Sequence, residues 1–236
     1  WVLGSNSLVA QSICIELAKN GCKKFYLISR DAEKSKKFVK NLKKNNKVQI
    51  IEKTINLNCQ NEENEKNFYK VEDFDLYLVT AGYLGNNGVA RVDFNEAKNI
   101  INCNYFGIVP WINAIATPER IAKSSRLWVF TSVAADRGRP SNYYYGSAKA
   151  ALQNMCEGLM SSCYGKPFSV RIIKAGYMAT PMTFGKVPNF LCIKTADVAR
   201  ILLKNNSKRG VEYLPWHWGP IMFLIRLMPN FLVSRL

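Results

Sequence analysis

Trp1-Val2-Leu3-Gly4-Ser5-Asn6-Ser7-Leu8-Val9-Ala10 passes within ten residues from a short apolar strand, through a turn of small polar residues, into a helical period that runs to residue 20. The same alternation recurs along the chain. Apolar runs at residues 24–29, 48–57, 74–80, 126–131, 168–174 and 210–214 are interleaved with helix-period segments at 31–45, 95–116, 143–162 and 195–203. Strands separated by helical crossovers make βαβ units, which join into a parallel sheet covered by helices on both faces. The fold class read from this pattern is α/β, one doubly wound domain over residues 1–236, with 215–236 an aromatic and apolar C-terminal extension. Sheets of this kind bind ligands at the carboxyl ends of their strands, so the loops there are where chemistry is expected.

Composition narrows the class. At 236 residues with 48% apolar and 21% charged side chains, the chain can bury a full core, and it carries no low-complexity tract or fixed-period repeat. It opens on Trp1 with no initiator methionine, so a few residues are expected to precede it. No signal-peptide pattern and no apolar run of roughly 20 residues is present, and the reading is a cytoplasmic chain. Seven cysteines (Cys14, Cys22, Cys59, Cys103, Cys156, Cys163, Cys192) fall in no C-x-x-C or Cys/His spacing, which points to reduced thiols and to no metal site. The net charge of +16 would suit a nucleic acid or an anionic membrane. Much of it is local: Lys34, Lys36, Lys37, Lys40, Lys43, Lys44 and Lys47 surround Phe38, Val39 and Leu42 as the outer face of an amphipathic helix would. With no nucleic-acid motif beside it, this is read as a solvated face, and no nucleic-acid partner is expected.

The first turn is where a pyrophosphate would rest on backbone N–H groups, with Gly4, Asn6, Ser7, Leu8 and Val9 around it. Only Gly4 fits a G-x-x-x-G-x-G pattern, Leu8 and Ala10 standing at the later glycine positions, so an ordinary turn is an equal reading. Arg30, at the end of the second strand, could reach a ribose 2′-phosphate, which favours NADP(H) over NAD(H). Asp31 follows at once, either as a competitor for the ribose or only as a cap of the lysine-rich helix. Asn56-Leu57 closes the third strand, offering an amide to an adenine or simply a turn. Ala81 and Gly82 are small where backbone must pass close to a ribose. Asn104 is a polar residue amid apolar neighbours, either a satisfied helix asparagine or a functional one.

Tyr145 and Lys149 lie four apart in Ser141-Asn142-Tyr143-Tyr144-Tyr145-Gly146-Ser147-Ala148-Lys149-Ala150, and Ser132 lies shortly upstream. On a helix the pair stacks on one face, and an ammonium one turn from a phenol favours the ionised form. Such a tyrosine can donate a proton near neutral pH, while Ser132 could polarise a carbonyl. Tyr143 and Tyr144 have Ser147 and Ala148 in the corresponding positions, so neither has a lysine one turn on.

Taken in order, the Gly4 turn, Ala81-Gly82, Asn104 with Gly107, Ser132, Tyr145 with Lys149, and Ala175-Gly176 with Thr180 resemble the short-chain dehydrogenase/reductase family over essentially the whole chain. That resemblance implies a Rossmann fold and transfer of hydride from a nicotinamide to a carbonyl carbon. Tyr145 would protonate the alkoxide, Ser132 would hydrogen-bond the carbonyl oxygen, and Lys149 would hold the nicotinamide ribose. Asn104 would position a water linking Lys149 to solvent. Residues 177–183, with Gly176, Met178 and Thr180, would close over the nicotinamide. Leu8 and Ala175 depart from the family pattern. Residues 132–143 and the tail from Tyr213 to Leu227 look more narrowly like the bacterial group containing decaprenylphosphoryl-2-keto-ribose reductase.

The expected function is accordingly an NADP(H)-dependent reductase of a keto group on a lipid- or nucleotide-linked sugar used in cell-envelope polysaccharide synthesis. A small-carbonyl or 3-oxoacyl reductase and a catalytically silent cofactor-binding partner subunit are the alternatives. Members of the family dimerise through helices that here start near Asn95 and Tyr143, so a homodimer or homotetramer is expected. The tail, with Trp216, Trp218, Phe223, Arg226 and Arg235, is apolar enough to lie in a membrane interface, or else packs on its own domain or another subunit. The first option would make the chain peripheral at the inner membrane surface. His217 is read as structural.

Overall fold

The computed structural model describes residues 1–45, 47–58, 69, 71–183 and 191–235. Cys59 lies outside them, and the other six cysteines are free thiols. In chain order the main elements are β1 (Val2–Leu3), α1 (Leu8–Lys19), β2 (Lys24–Ser29), α2 (Ala32–Asn45), β3 (Gln49–Thr54) and β4 (Leu76–Val79). These are followed by α3 (Phe94–Ile101), α4 (Val109–Ile115), β5 (Arg126–Ser132), α5 (Tyr143–Ser162), β6 (Ser169–Ala175), α6 (Thr195–Lys204), β7 (Gly210–Leu214) and α7 (Trp218–Leu227). The strands form a seven-stranded parallel sheet in the order β3-β2-β1-β4-β5-β6-β7, the α/β architecture expected from the alternation of strands and helices. No described helix is long and apolar enough to cross a membrane.

The chain falls into two compact units. The first comprises Trp1–Asn56, Tyr77–Ala81 and Tyr177–Lys208. Here β1 is flanked in register by β2 (Val2↔Leu27, Leu3↔Ile28) and β4 (Val2↔Leu78, Leu3↔Val79). All six of these side chains are buried, because a parallel strand with helices on both faces has no solvated side. The helix α1 buries Val9, Ala10, Ile13, Cys14 and Ala18, and Ser12 meets Thr195 of α6 through their hydroxyls at 2.8 Å. On α2 Phe38, Val39 and Leu42 are buried while Lys34, Lys36, Lys37, Lys40, Lys43 and Lys44 are exposed, as the charge pattern implies. Asp31 Oδ1 accepts from the N–H groups of Glu33 and Lys34, so this carboxylate is engaged in capping α2. The edge strand β3 ends at Thr54, not at residue 57, because its partner β2 ends at Ser29, opposite Thr54. Asn56 and Leu57 therefore sit in the turn beyond the strand.

The second unit comprises Leu57–Leu76, Gly82–Gly176 and Arg209–Leu236. Its strands β5, β6 and β7 pair in parallel, with Ser132 opposite Ala175 and Ala175 opposite Leu214. The single helix expected over 95–116 is broken into α3, a π-helical turn at Asn102–Phe106, and α4. Pro110 has no N–H to continue a helix, and Gly107 N–H reaches back five residues to Asn102 O at 2.8 Å. Two buried cations lie on β6. Arg171 pairs with Glu212 and stacks on Trp128 at 4.9 Å, and Lys174 pairs with Asp136. Tyr213 OH donates to the other Asp136 oxygen at 2.9 Å, and Lys174 Nζ lies 4.7 Å from the Tyr213 ring centroid.

Candidate active site

Ser132 is the last residue of β5, at the carboxyl end of the sheet. Its Oγ accepts from Ala134 N–H at 3.1 Å, which turns the chain into a short 3-10 segment, Val133–Ala135. Asp136 follows that segment, and its ion pair with Lys174 and hydrogen bond from Tyr213 tie the loop carrying Ser132 to β6 and β7. Sequence reasoning passed over this brace. A lysine inside the apolar run 168–174 was its one visible signal, since a strand buried on both faces has no solvent side for a charge.

The helix α5 contains no β-branched residue in its 20 positions, which spares it that loss of χ1 freedom. Gly146, Lys149, Leu152 and Cys156 recur at three- and four-residue spacing on its buried stripe. A Cβ on Gly146 would stand 2.7 Å from the Ala134 carbonyl oxygen, so glycine lets α5 lie directly on the turn that follows Ser132. One residue before that contact, half-buried Tyr145 comes close enough to Ser132 for that hydroxyl to act on its phenol. Lys149 is 3% exposed, its Nζ donates to Phe130 O at 3.2 Å, and it lies 5.9 Å from the Tyr145 ring centroid. Serine, tyrosine and lysine thus converge at the end of β5.

The electrostatics differ from the expectation drawn from helical spacing. Burial pushes the Tyr145 phenol up to about 12, with the Ser132 hydroxyl pulling the other way, so the phenol is held protonated. Burial also pushes the Lys149 ammonium down to about 8, against the opposing pull of Cys156 and Cys103. Desolvation penalises both charged forms, and a lysine almost 6 Å from the ring does not offset it.

Residues 1–189 match the family model described as short chain dehydrogenase. The chain belongs to the short-chain dehydrogenase family. An uncharacterized oxidoreductase of Mycobacterium tuberculosis is 35% identical over 163 residues, which is 67% of this chain and 64% of that protein's length. A bifunctional ribulose 5-phosphate reductase/CDP-ribitol pyrophosphorylase of Haemophilus influenzae is 27% identical over 61% of this chain and 31% of its own. Among solved structures, a short-chain dehydrogenase from Sphingobium yanoikuyae in complex with NADPH shares the fold, with a TM-score of 0.79 at 16% identity over 97% of this chain and 96% of that one.

Other residues expected to serve a short-chain dehydrogenase site are placed as follows in the second unit. Asn104 is fully buried in the π turn; its Nδ2 donates to Tyr83 O at 2.6 Å and Ile100 O at 2.8 Å, and its Oδ1 accepts from Tyr83 N–H at 3.2 Å. Both amide hydrogens are committed to backbone, so Asn104 braces the strand-end loop at Gly82-Tyr83. A Cβ on Gly82 would stand 3.1 Å from Asn104 Oδ1 and 3.4 Å from Lys149 Nζ, which leaves room there only for glycine's hydrogen without displacement. Leu57 lies against Gly107 of the π-turn cap, and Gly176 N–H donates to Leu214 O at 2.9 Å.

The first unit holds the candidate cofactor turn. Gly4 has φ +94°, and a Cβ on it would stand 2.5 Å from Ala81 N, so both conformation and space demand glycine. Gly4 and Ser5 N–H groups both donate to Ile28 O at 2.9 Å, and Asn6 Nδ2 donates to Asp31 O at 2.7 Å. The turn is thereby fastened beside Arg30, which is exposed. Asn6 Oδ1 is buried with no hydrogen-bond partner, the Ser7 hydroxyl makes no capping bond, and the first turn of α1 carries no acid. The Ser7 hydroxyl left out of the cap and the acid-free first turn suit an anion at this helix N-terminus, so these residues fit the pyrophosphate of a dinucleotide. Leu8, the departure from the glycine pattern, is 41% exposed, while Val9 and Ala10 are buried. Its side chain turns away from the core, which is why the turn tolerates it. Exposed Asn56 lies past the end of β3, and Met178 is buried and bridged to Ile193. Thr180 is held in a turn by Thr183, whose N–H donates to Thr180 O at 3.0 Å.

The depressed Lys149 pKa has a consequence for stability. Below about 8 the folded protein carries an ammonium that burial penalises, above about 10.5 the lysine is neutral in both folded and unfolded chains, and the penalty fades between these limits. Lys149→Met removes the charge, so at pH 7 it is expected to stabilise the fold by up to roughly 3 kcal/mol while abolishing turnover. Urea unfolding at pH 7 and pH 10 reads the difference, and a gap that fails to narrow at the higher pH would contradict this assignment.

Proposed function

We propose that the chain is an NADP(H)-dependent reductase of a keto group carried on a lipid- or nucleotide-linked sugar of the kind used in cell-envelope polysaccharide synthesis. The observation that carries the reductase reading is the convergence of Ser132 and Tyr145 at the end of β5, with Lys149 buried on the same helix. A bound nicotinamide would supply the hydride. The protein's own work is then to hold the carbonyl and manage one proton. Ser132 Oγ–H donates to the carbonyl oxygen as negative charge develops there. Tyr145, kept protonated by burial, gives its phenolic proton to that oxygen. The Lys149 ammonium stabilises the resulting phenolate and offers donors to a ribose, and Asn104 keeps the adjoining loop in place and is proposed to serve the water path that reprotonates the site.

Arg30 supports the choice of NADP(H), since Asp31 beside it is taken up in capping α2. The sugar reading draws on two supports. The Haemophilus relative is named for reduction of a keto sugar phosphate. Arg139, on the loop between Ser132 and Tyr145, is 8% exposed, and its Nε meets no hydrogen-bond acceptor. A guanidinium presents its donors as a planar fork that matches a phosphate, so a phosphate on the substrate is the partner proposed for it. The narrower likeness to the decaprenylphosphoryl-2-keto-ribose reductase group accords with such a substrate. A homo-oligomer formed through α3 and α5 is also proposed, Val92 and Phe94 being 89% and 80% exposed at the start of α3.

Three measurements test this reading. Tyr145→Phe is expected to lower kcat at least about 100-fold while NADPH still quenches tryptophan fluorescence at wild-type concentrations; retention of most turnover would remove Tyr145 as the donor. Titrations with NADPH and NADH are expected to favour NADPH, and equal or tighter NADH binding would overturn the role of Arg30. With ribulose 5-phosphate as the probe, Arg139→Gln is expected to raise KM about tenfold or more with kcat nearly unchanged and to leave unphosphorylated ribulose unaffected. Faster turnover of a 3-oxoacyl thioester than of either sugar would transfer the assignment to that substrate class, and no turnover of any ketone would favour the silent partner subunit.

A further inference from the structure

The helix α7 is apolar on the side it buries and on the side it exposes. Trp218 and Met222, one turn apart, face inward, and a Cβ on Gly176 would collide with the Trp218 indole, so the helix is seated directly on the strand-end backbone. A surface helix of a globular protein normally turns polar residues outward. Here the outward positions are Phe223, Leu224 and Leu227, exposed to 62%, 64% and 68%. Trp216 before the helix and Phe231 after it add 78% and 66%. Five large apolar side chains thus stand in water within one short segment, and a patch of this kind marks an interaction surface.

The segment is fixed in place. Arg137, on the loop that follows Ser132, donates through Nη2 to Asn230 Oδ1 at 2.6 Å and to Met228 O at 3.4 Å, and buried Val233 anchors the short helix Asn230–Val233. The apolar face is therefore displayed beside the Ser132 loop within the same unit.

The charges on this segment select its occupant. From residue 215 to residue 235 the sequence contains no aspartate or glutamate, while Arg226 and Arg235 are both exposed among the apolar side chains. A second copy packed through the same face would bring arginines toward arginines with no acid on either side to pair them. An anionic lipid surface offers acyl chains to the aromatic and leucine side chains and phosphates to the two guanidinium groups, and the net charge of +16 adds long-range attraction. We propose that α7 and the helix after it form an in-plane docking surface for a bilayer containing anionic lipids, which holds the Ser132 loop close to the headgroup layer. This inference stands apart from the substrate assignment, because it rests on exposure and charge alone.

Sedimentation of the full chain with vesicles of phosphatidylcholine, with and without phosphatidylglycerol, tests it. The wild-type chain is expected to pellet with the phosphatidylglycerol vesicles at least tenfold more than with phosphatidylcholine alone. Phe223→Ser with Leu227→Ser, and separately Arg226→Glu, are expected to reduce the pelleted fraction about tenfold or more, with NADPH binding and thermal unfolding unchanged. These substitutions lie on exposed positions, and Arg226→Glu retains the apolar face, so a folding defect in the double variant leaves the charge test intact. A wild-type chain that stays in the supernatant overturns the proposal, as does binding that neither variant weakens. If, instead, the double variant lowers the mass measured by size-exclusion chromatography with light scattering, the face is a contact between subunits and the proposal fails.

Discussion

Tyr145 reaches Ser132 because nothing projects from position 146. The Ala134 carbonyl occupies the space that a Cβ on Gly146 would need, and the axis of α5 can come that close only at glycine. Any side chain there would lift the first turns of the helix from the end of β5, and Tyr145 and Lys149 would move with it. The rest of the second unit is arranged around this approach. The Asp136–Lys174–Tyr213 cluster holds the loop from below, Asn104 holds the neighbouring loop at Tyr83, and Ser132 closes its own turn through Ala134. A chemical site with tolerances of a few tenths of an ångström is thus built from backbone contact and buried charge, with little dependence on flexible side chains.

Buried cations recur in this unit, and each has a different settlement. Arg171 is paired with Glu212 and stacked on Trp128, Lys174 is paired with Asp136, and Lys149 is accommodated by a lowered affinity for its proton. Arg171 and Lys174 each have a matched carboxylate inside the fold. Lys149 is buried with its Nζ donating to Phe130 O, and Arg139 encloses its Nε without an acceptor. The desolvation that lowers the affinity of Lys149 for its proton is a cost the fold carries at this site.

Much of this was legible in the sequence. The period-2 and period-3.6 segments placed β7 and α5 at their observed bounds, because Gly210–Leu214 and Tyr143–Ser162 have strong local signals at both ends. The spacing of Tyr145 and Lys149 survived as geometry. Its electrostatic reading did not, because helical spacing encodes which groups are neighbours and carries no information on how deeply they are desolvated. The π turn was also invisible to periodicity. Residues 95–116 keep an apolar pattern through it, and only Gly107 with Pro110 hinted that the ladder changes there. The end of β3 depended on the length of β2, a non-local fact that no property of Asn56 or Leu57 could reveal. The brace at Asp136 and the seat of Trp218 against Gly176 join residues far apart in the chain and had only single unexplained charges or glycines as signals.

The two-residue strand β1 sets the order in which the first unit can be completed. Its partner β2 follows within about 25 residues, whereas β4, on its other side, comes roughly 75 residues later. Closing a loop of that size costs entropy before any pairing rewards it. Until Leu78 and Val79 arrive, Val2 and Leu3 present an unpaired apolar strand edge, the kind of edge on which nascent chains associate wrongly. The opening segment that decides the architecture therefore completes its pairing only when a distant strand arrives.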